Sequence, residues 1–196
     1  TVLAGVNAGV RNVYNSKHAV RTPEDLNGLK IRVQQSDSQV RMIELMGAVA
    51  SPMNNGETYS AMQTGVLDGA ENNEVTWDAL KHSEVAKYYS YTRHLIIPDY
   101  LLISTKALNA MSAEDQQALK DLVPEIQKIA NDGFAAFTQK SIDHATSIGA
   151  QFNDLDAVDR PVALAQAVPV LDPGVGGQFL APADHGDAAI LVRPGL

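Results

Sequence analysis

The segment from Thr22 to Asp37 constrains this chain more than any other. Thr22-Pro23-Glu24-Asp25 is a helix start, with a hydroxyl side chain to cap, a proline at the first helical position and acids in the first turn, and Gly28 closes it. The run Leu29-Lys30-Ile31-Arg32-Val33-Gln34 then alternates apolar and polar residues, the period of a half-buried strand, and Gln35-Ser36-Asp37 opens a further helix. A strand that ends in arginine and hands over to a helix N-terminus puts a permanently charged planar fork and free N–H groups in one crevice. That is a geometry for binding an anion.

The same alternation continues. Val40, Ile43, Glu44 and Met46, ending at Gly47, have helical spacing; 48–53 is short and extended; 56–64 is helical; 66–72 is a second strand candidate and 74–87 a further helix. Tyr100-Leu101-Leu102-Ile103-Ser104 has the character of a buried strand. Ser112-Ala113-Glu114-Asp115 is another capping signature, followed by a helical pattern that runs to about Ile148, long enough to be a spine joining two lobes. Pro124 falls inside it and predicts a kink or restart. From 160 to 196 prolines and glycines recur without any period, so this tail is expected to be irregular. Strands alternating with helices predict an α/β fold.

A formal charge of -8 and a pI near 5.0 make the surface repel nucleic acid and anionic membranes, so an anion site has to be a local positive island. The absence of cysteine removes disulfides, thiol nucleophiles and thiolate metal sites. His82 and His94 are twelve apart, and His18, His144 and His185 stand alone, so the histidines show no metal-ligand spacing. No G-x-S-x-G elbow occurs, and Gly174-Val175-Gly176-Gly177 follows Pro173 instead of a strand, which is not a phosphate loop. No catalytic constellation, cofactor site or metal site emerges.

Arg32 has the strand parity of Lys30 and Gln34, so it leaves the apolar face and can point into a cleft; the plainer reading is a surface arginine paired with a neighbouring acid. Asn72 and Asn73 follow Glu71 at a strand exit, where amides serve either a ligand or a turn. Arg11 is a second candidate anion partner. The aromatic residues Trp77, Tyr59, Tyr88, Tyr89 and Tyr91 fit core packing as well as sugar stacking.

Three segments in this order, Arg21-Thr22-Pro23-Glu24-Asp25-Leu26-Asn27-Gly28-Leu29-Lys30-Ile31-Arg32-Val33, Ala61-Met62-Gln63-Thr64-Gly65-Val66-Leu67-Asp68-Gly69-Ala70-Glu71-Asn72 and Ser112-Ala113-Glu114-Asp115, resemble the solute-binding proteins of tripartite ATP-independent periplasmic (TRAP) transporters. The resemblance runs from about Gly9 to Asp159. It implies a two-lobed periplasmic α/β receptor, acting as a monomer without cofactor, that closes over a small organic-acid anion and delivers it to a membrane permease. It places the family's carboxylate clamp on Arg32, its supporting arginine on Arg11, the motif asparagine on Asn72, and further pocket positions on Gln35 and His94. Asn55 stands where many members have an aromatic residue, and together with Asn73 it makes the pocket wall more polar. The wording around Gln35 and Asn72 is most similar to members that take sugar acids such as hexuronates.

The resemblance further implies that the chain corresponds to the C-terminal two-thirds of such a receptor. In that division 1–12 and 98–112 belong to the first lobe, 13–97 to the second, 113–150 to the connecting helix and 151–196 to the irregular tail. Pro169-Val170-Leu171-Asp172 still looks like a family segment. Three other readings stand beside the receptor: a sensory module of the same fold, an enzyme acting on a small acid, and a truncated fragment that binds nothing.

Overall fold

In the computed structural model of the chain, residues 1–156 are described; the proline- and glycine-rich stretch and the Pro169 to Asp172 motif lie outside the described residues. Six strands form one sheet: β1 (Val2–Asn15), β2 (Lys30–Val33), β3 (Val49–Pro52), β4 (Gly69–Asn72), β5 (Tyr88–Leu102) and β6 (Gln151–Asp154), in the order β3-β2-β4-β1-β5-β6. β2 pairs in parallel with β3 and β4, β1 runs antiparallel to both β4 and β5, and β6 is parallel to β5.

The helices are α1 (Asp37–Leu45), α2 (Asn55–Gln63), α3 (Glu74–Ala79), α4 (His82–Val85), α5 (Thr105–Ala110) and α6 (Ala113–Ser147), with a 3-10 turn over Pro23–Leu26. β3 and β4 lie on opposite sides of β2, so right-handed crossovers put α1 and α2 on opposite sheet faces. Two cores result. Val13, Ile31 and Val33 pack with Leu26, Met42 and Ile43 on one face. On the other, Tyr14, Trp77, Tyr89 and Phe152 form an aromatic cluster with Met62, Leu67 and Ala145.

The expected caps form. Asp25 Oδ2 accepts the backbone N–H groups of Arg21 and Thr22 at 2.8 and 2.9 Å, and Ser112 Oγ accepts that of Asp115 at 3.0 Å. Four features differ from the sequence reading. The two longest strands, β1 and most of β5, were not expected: register shifts at Val2/Ala4, Asn7/Val10 and Arg11/Val13 break the alternation that would reveal them. The stretch from Tyr100 is not a buried strand but the exposed end of β5, with Tyr100 59% and Leu102 65% exposed. The 74–87 helix is two short helices, because Lys81 adopts φ 61° between them. And α6 continues through Pro124 as one element, since both Pro124 and the Lys120 whose carbonyl it leaves free are exposed to water.

β4 and β1 approach closely at Gly69, where a Cβ would lie 2.0 Å from the Tyr14 carbonyl oxygen and 2.8 Å from Asn15 Cα. Gly69→Ala should therefore part the two strands and lower unfolding stability by about 3 kcal/mol or more in denaturant titration, whereas Gly133→Ala, with open space around its Cβ, should stay within about 1 kcal/mol of the parent.

Candidate functional site

The parallel strands β2, β3 and β4 end on the same edge of the sheet, the edge at which α/β folds bind ligands. Arg32 lies next to last in β2, opposite Ala70 of β4 and Ser51 of β3. It is only 5% exposed, and no carboxylate pairs with it among the described residues, which removes the reading of a surface arginine tied to a neighbouring acid. Nε and Nη2 both donate to the Met53 carbonyl oxygen, at 2.9 and 2.7 Å. That acceptor, at the exit of β3, fixes one edge of the fork and leaves its formal charge unneutralised. Burial pushes the guanidinium below its usual value, while Tyr14 and Glu71 pull it back up and Arg11 opposes them.

Asn72, the last residue of β4, lies opposite Asn12 and on the same sheet face as Arg32. Its Oδ1 accepts the Asn73 backbone N–H at 2.9 Å, and its amide NH2 makes no hydrogen bond among the described residues. Asn73 is spent on the fold: Oδ1 caps α3 at Thr76 N, 2.7 Å away, and Nδ2 donates to the Ala8 carbonyl at 2.8 Å. Gln35, in the loop after β2, and Asn55, the first residue of α2, are exposed near the same edge, and neither uses its side chain in the fold.

Arg11 and His94 come together around a residue that the sequence reading had not singled out. Glu71 is completely buried on β4; Arg11 Nε and Nη2 pair with its two carboxylate oxygens, and Nη2 also donates to its backbone carbonyl at 2.8 Å. His94 Nε2 lies 3.4 Å from Glu71 Oε2, and its Nδ1 is 2.8 Å from Thr92 Oγ1. Burial alone would raise the Glu71 carboxyl, but the bonds and charges of His94 and Arg11 hold it below the usual carboxylate value. The available sequence signal was an acid inside the short strand Gly69-Ala70-Glu71-Asn72. Arg11 keeps Nη1 outside this pair.

Behind the site, Tyr14 Oη lies 2.8 Å from His82 Nδ1. Burial and then the Arg32 charge press the His82 imidazole down to about 4, so it is neutral at physiological pH and Nδ1 can accept the Tyr14 proton. Burial, with Glu71 second, pushes the Tyr14 hydroxyl far above its usual value, which keeps that proton in place. Among the described residues no group of three histidine or acidic side chains is placed to hold a metal, and no helix is long and apolar enough to cross a membrane.

Residues 1–173 match the bacterial extracellular solute-binding protein family 7. The chain belongs to this family. A solute-binding protein from Chromohalobacter salexigens is 39% identical over 175 residues, a stretch covering 87% of this chain and 50% of that protein. A TRAP periplasmic solute-binding protein from the same organism, solved with bound D-glucuronate, superposes with a TM-score of 0.81 at 37% identity, covering 86% of this chain and 56% of that one. Its counterpart from Sulfitobacter sp. NAS-14.1, with bound β-D-galacturonate, gives a TM-score of 0.79 at 37% identity, covering 87% and 56%. The chain thus spans about half the length of the relatives it matches. These family 7 neighbours have the two-lobed periplasmic-binding fold, and they are binding proteins.

The buried titrating groups set a pH dependence. An unfolded His82 takes up a proton near 6.5, whereas the folded one does so only near 4, so the unfolded chain binds more protons between these values. Stability is complete above 6.5 and falls as the pH drops through that window, by at most about 3 kcal/mol. Glu71 adds a further loss below about 4.5, its ordinary value, because its folded carboxyl titrates lower. Denaturant titrations from neutral pH down to 4 should show this decline, and His82→Gln should reduce the proton uptake on unfolding by about one in the upper window.

Proposed function

We propose that this chain is the capturing part of a periplasmic TRAP receptor that takes a hexuronate, or a closely related sugar acid, by its carboxylate. The observation that carries this reading is Arg32: a guanidinium buried to 5% exposure and held by one backbone carbonyl, with no acid to neutralise it among the described residues. A buried unpaired charge costs several kcal/mol, and an incoming carboxylate removes that cost. A planar fork also accepts a carboxylate through two parallel bonds, each charge-assisted contact contributing about 1.5 to 3 kcal/mol. The neighbours solved with D-glucuronate and β-D-galacturonate support the choice of ligand class.

In this reading Arg32 clamps the carboxylate and Asn72, on the same sheet face, completes its hydrogen bonds, while Arg11 on the other face holds Glu71 so that this acid does not compete for Arg32. Gln35 and Asn55 answer ring hydroxyls from the exposed edge, and His94 acts through Glu71 to hold Arg11. Asn73 serves the pocket indirectly, as the cap of α3. The parts 1–12 and 98–112 belong to one lobe and 13–97 to the other, α6 connects them, and closure of the lobes excludes water from the carboxylate. The receptor works as a monomer, hands its ligand to the TRAP permease and performs no chemistry on it.

Calorimetric titration of the chain with D-glucuronate, D-galacturonate and D-glucose tests this reading. The two uronates should bind and the neutral sugar should not. Arg32→Lys should weaken uronate binding at least about tenfold with little change in melting temperature, since the charge survives and the fork does not. Equal binding of glucose, or unchanged affinity in Arg32→Lys, would contradict the clamp; no heat from any sugar acid would make this chain a non-binding portion of its receptor.

A further inference from the structure

A cavity of about 520 Å3 is lined by α6, the start of α3 and the paired strands β1 and β5, and none of its lining residues belongs to the carboxylate site. Asn12, Glu74, Tyr91, Arg93, Phe134 and Gln139 are among them. Its size is that of a small-molecule pocket. The one acid in the lining, Glu74, is only 9% exposed, and no cation pairs with it among the described residues. Tyr89 is near enough to help hold its charge, but the Tyr89 hydroxyl proton goes to the Asn72 carbonyl at 2.9 Å. Three other donors of the wall are committed: Asn12 Nδ2 to the Val10 carbonyl and Tyr89 Oη, Thr138 Oγ1 to the Phe134 carbonyl, and Gln139 Nε2 to Asp143.

Arg93 does not answer Glu74. Its Nη1 pairs with Asp154 at 2.6 Å and its guanidinium stacks over the Tyr91 ring at 5.1 Å. With Arg93 balanced in this way, the wall retains the negative charge of Glu74. Burial pushes the Glu74 carboxyl above its usual range, and the weak pull of Arg93 offsets this only in part. Tyr91 and Gln139 also line this space, and the half-buried Phe134 ring offers an apolar wall.

We propose that this cavity is a second ligand site, for a small organic cation that sets an ammonium group on Glu74 and an apolar body against Phe134 and Val10. An ammonium supplies the cation that Glu74 lacks among the described residues, with three N–H donors, in a place where water is partly excluded. The proposal is independent of the sugar-acid reading, because no residue is shared between the two sites.

Benzylamine, charged at neutral pH, and benzyl alcohol, its neutral counterpart of nearly the same shape, are suitable probes. Titration of the chain followed by NMR should show benzylamine shifting the Phe134 and Tyr91 resonances, with benzyl alcohol binding at least about tenfold more weakly. Glu74→Gln, which keeps the shape and removes the charge, should weaken benzylamine by a similar factor. Ala135→Trp, at an exposed lining position, should fill the cavity and abolish binding without touching Glu74, so the test survives a folding defect in Glu74→Gln. Benzylamine that fails to bind, binds no better than the alcohol, or binds Ala135→Trp as it binds the parent chain would overturn the proposal.

Discussion

A fully buried carboxylate, Glu71, is the constraint around which the centre of the sheet is arranged. A charge without water has to be paired and hydrogen-bonded, and Arg11 from β1 and His94 from β5 do this together. One acid on β4 thereby ties three strands that are distant in sequence, and removing Arg11 would strand the charge at a cost of about 3–5 kcal/mol. Because Glu71 is satisfied by Arg11, it does not pair with Arg32. The second arginine is left buried, oriented by the Met53 carbonyl and short of an anion.

The two arginines lie on opposite sheet faces, and the strand register decides which does what. Arg32 pairs across to Ala70 and shares its face with Asn72, whereas Val13 pairs with Glu71 and puts Arg11 on the other. Beneath Arg32 the packing is rigid, with Tyr14 stacked parallel to Tyr89 and both against Trp77. Tyr14 and His82 bond to each other there as neutral groups, so the floor of the site contributes no competing negative charge. An unneutralised guanidinium is thus set on a closely packed, neutral floor.

Much of this was legible in the sequence. The capped turn at Thr22, the strand ending in Arg32 and the capped start at Ser112 are local signals, and local signals report local geometry faithfully. What escaped was non-local or masked by irregularity. β1 and β5 are bulged where they pair, so neither keeps a clean period of two. The Arg11–Glu71 pair joins residues sixty apart, and spacing cannot announce such a contact. Asn73 could serve a turn or a ligand on sequence grounds, and only the carbonyl of Ala8 and the N–H of Thr76 reveal that both ends of its side chain are in use. The exposed end of β5 was mistaken for core because Tyr100-Leu101-Leu102 is apolar enough to be buried, although in the described residues it is not.

The most direct test of the central claim is a crystal structure of the chain grown with D-glucuronate. The carboxylate should lie against the Arg32 guanidinium at bidentate distance, with the Asn72 amide donating to it and the Arg11–Glu71 pair unbroken. A sugar acid bound elsewhere, or one whose hydroxyls instead of its carboxylate meet Arg32, would contradict it.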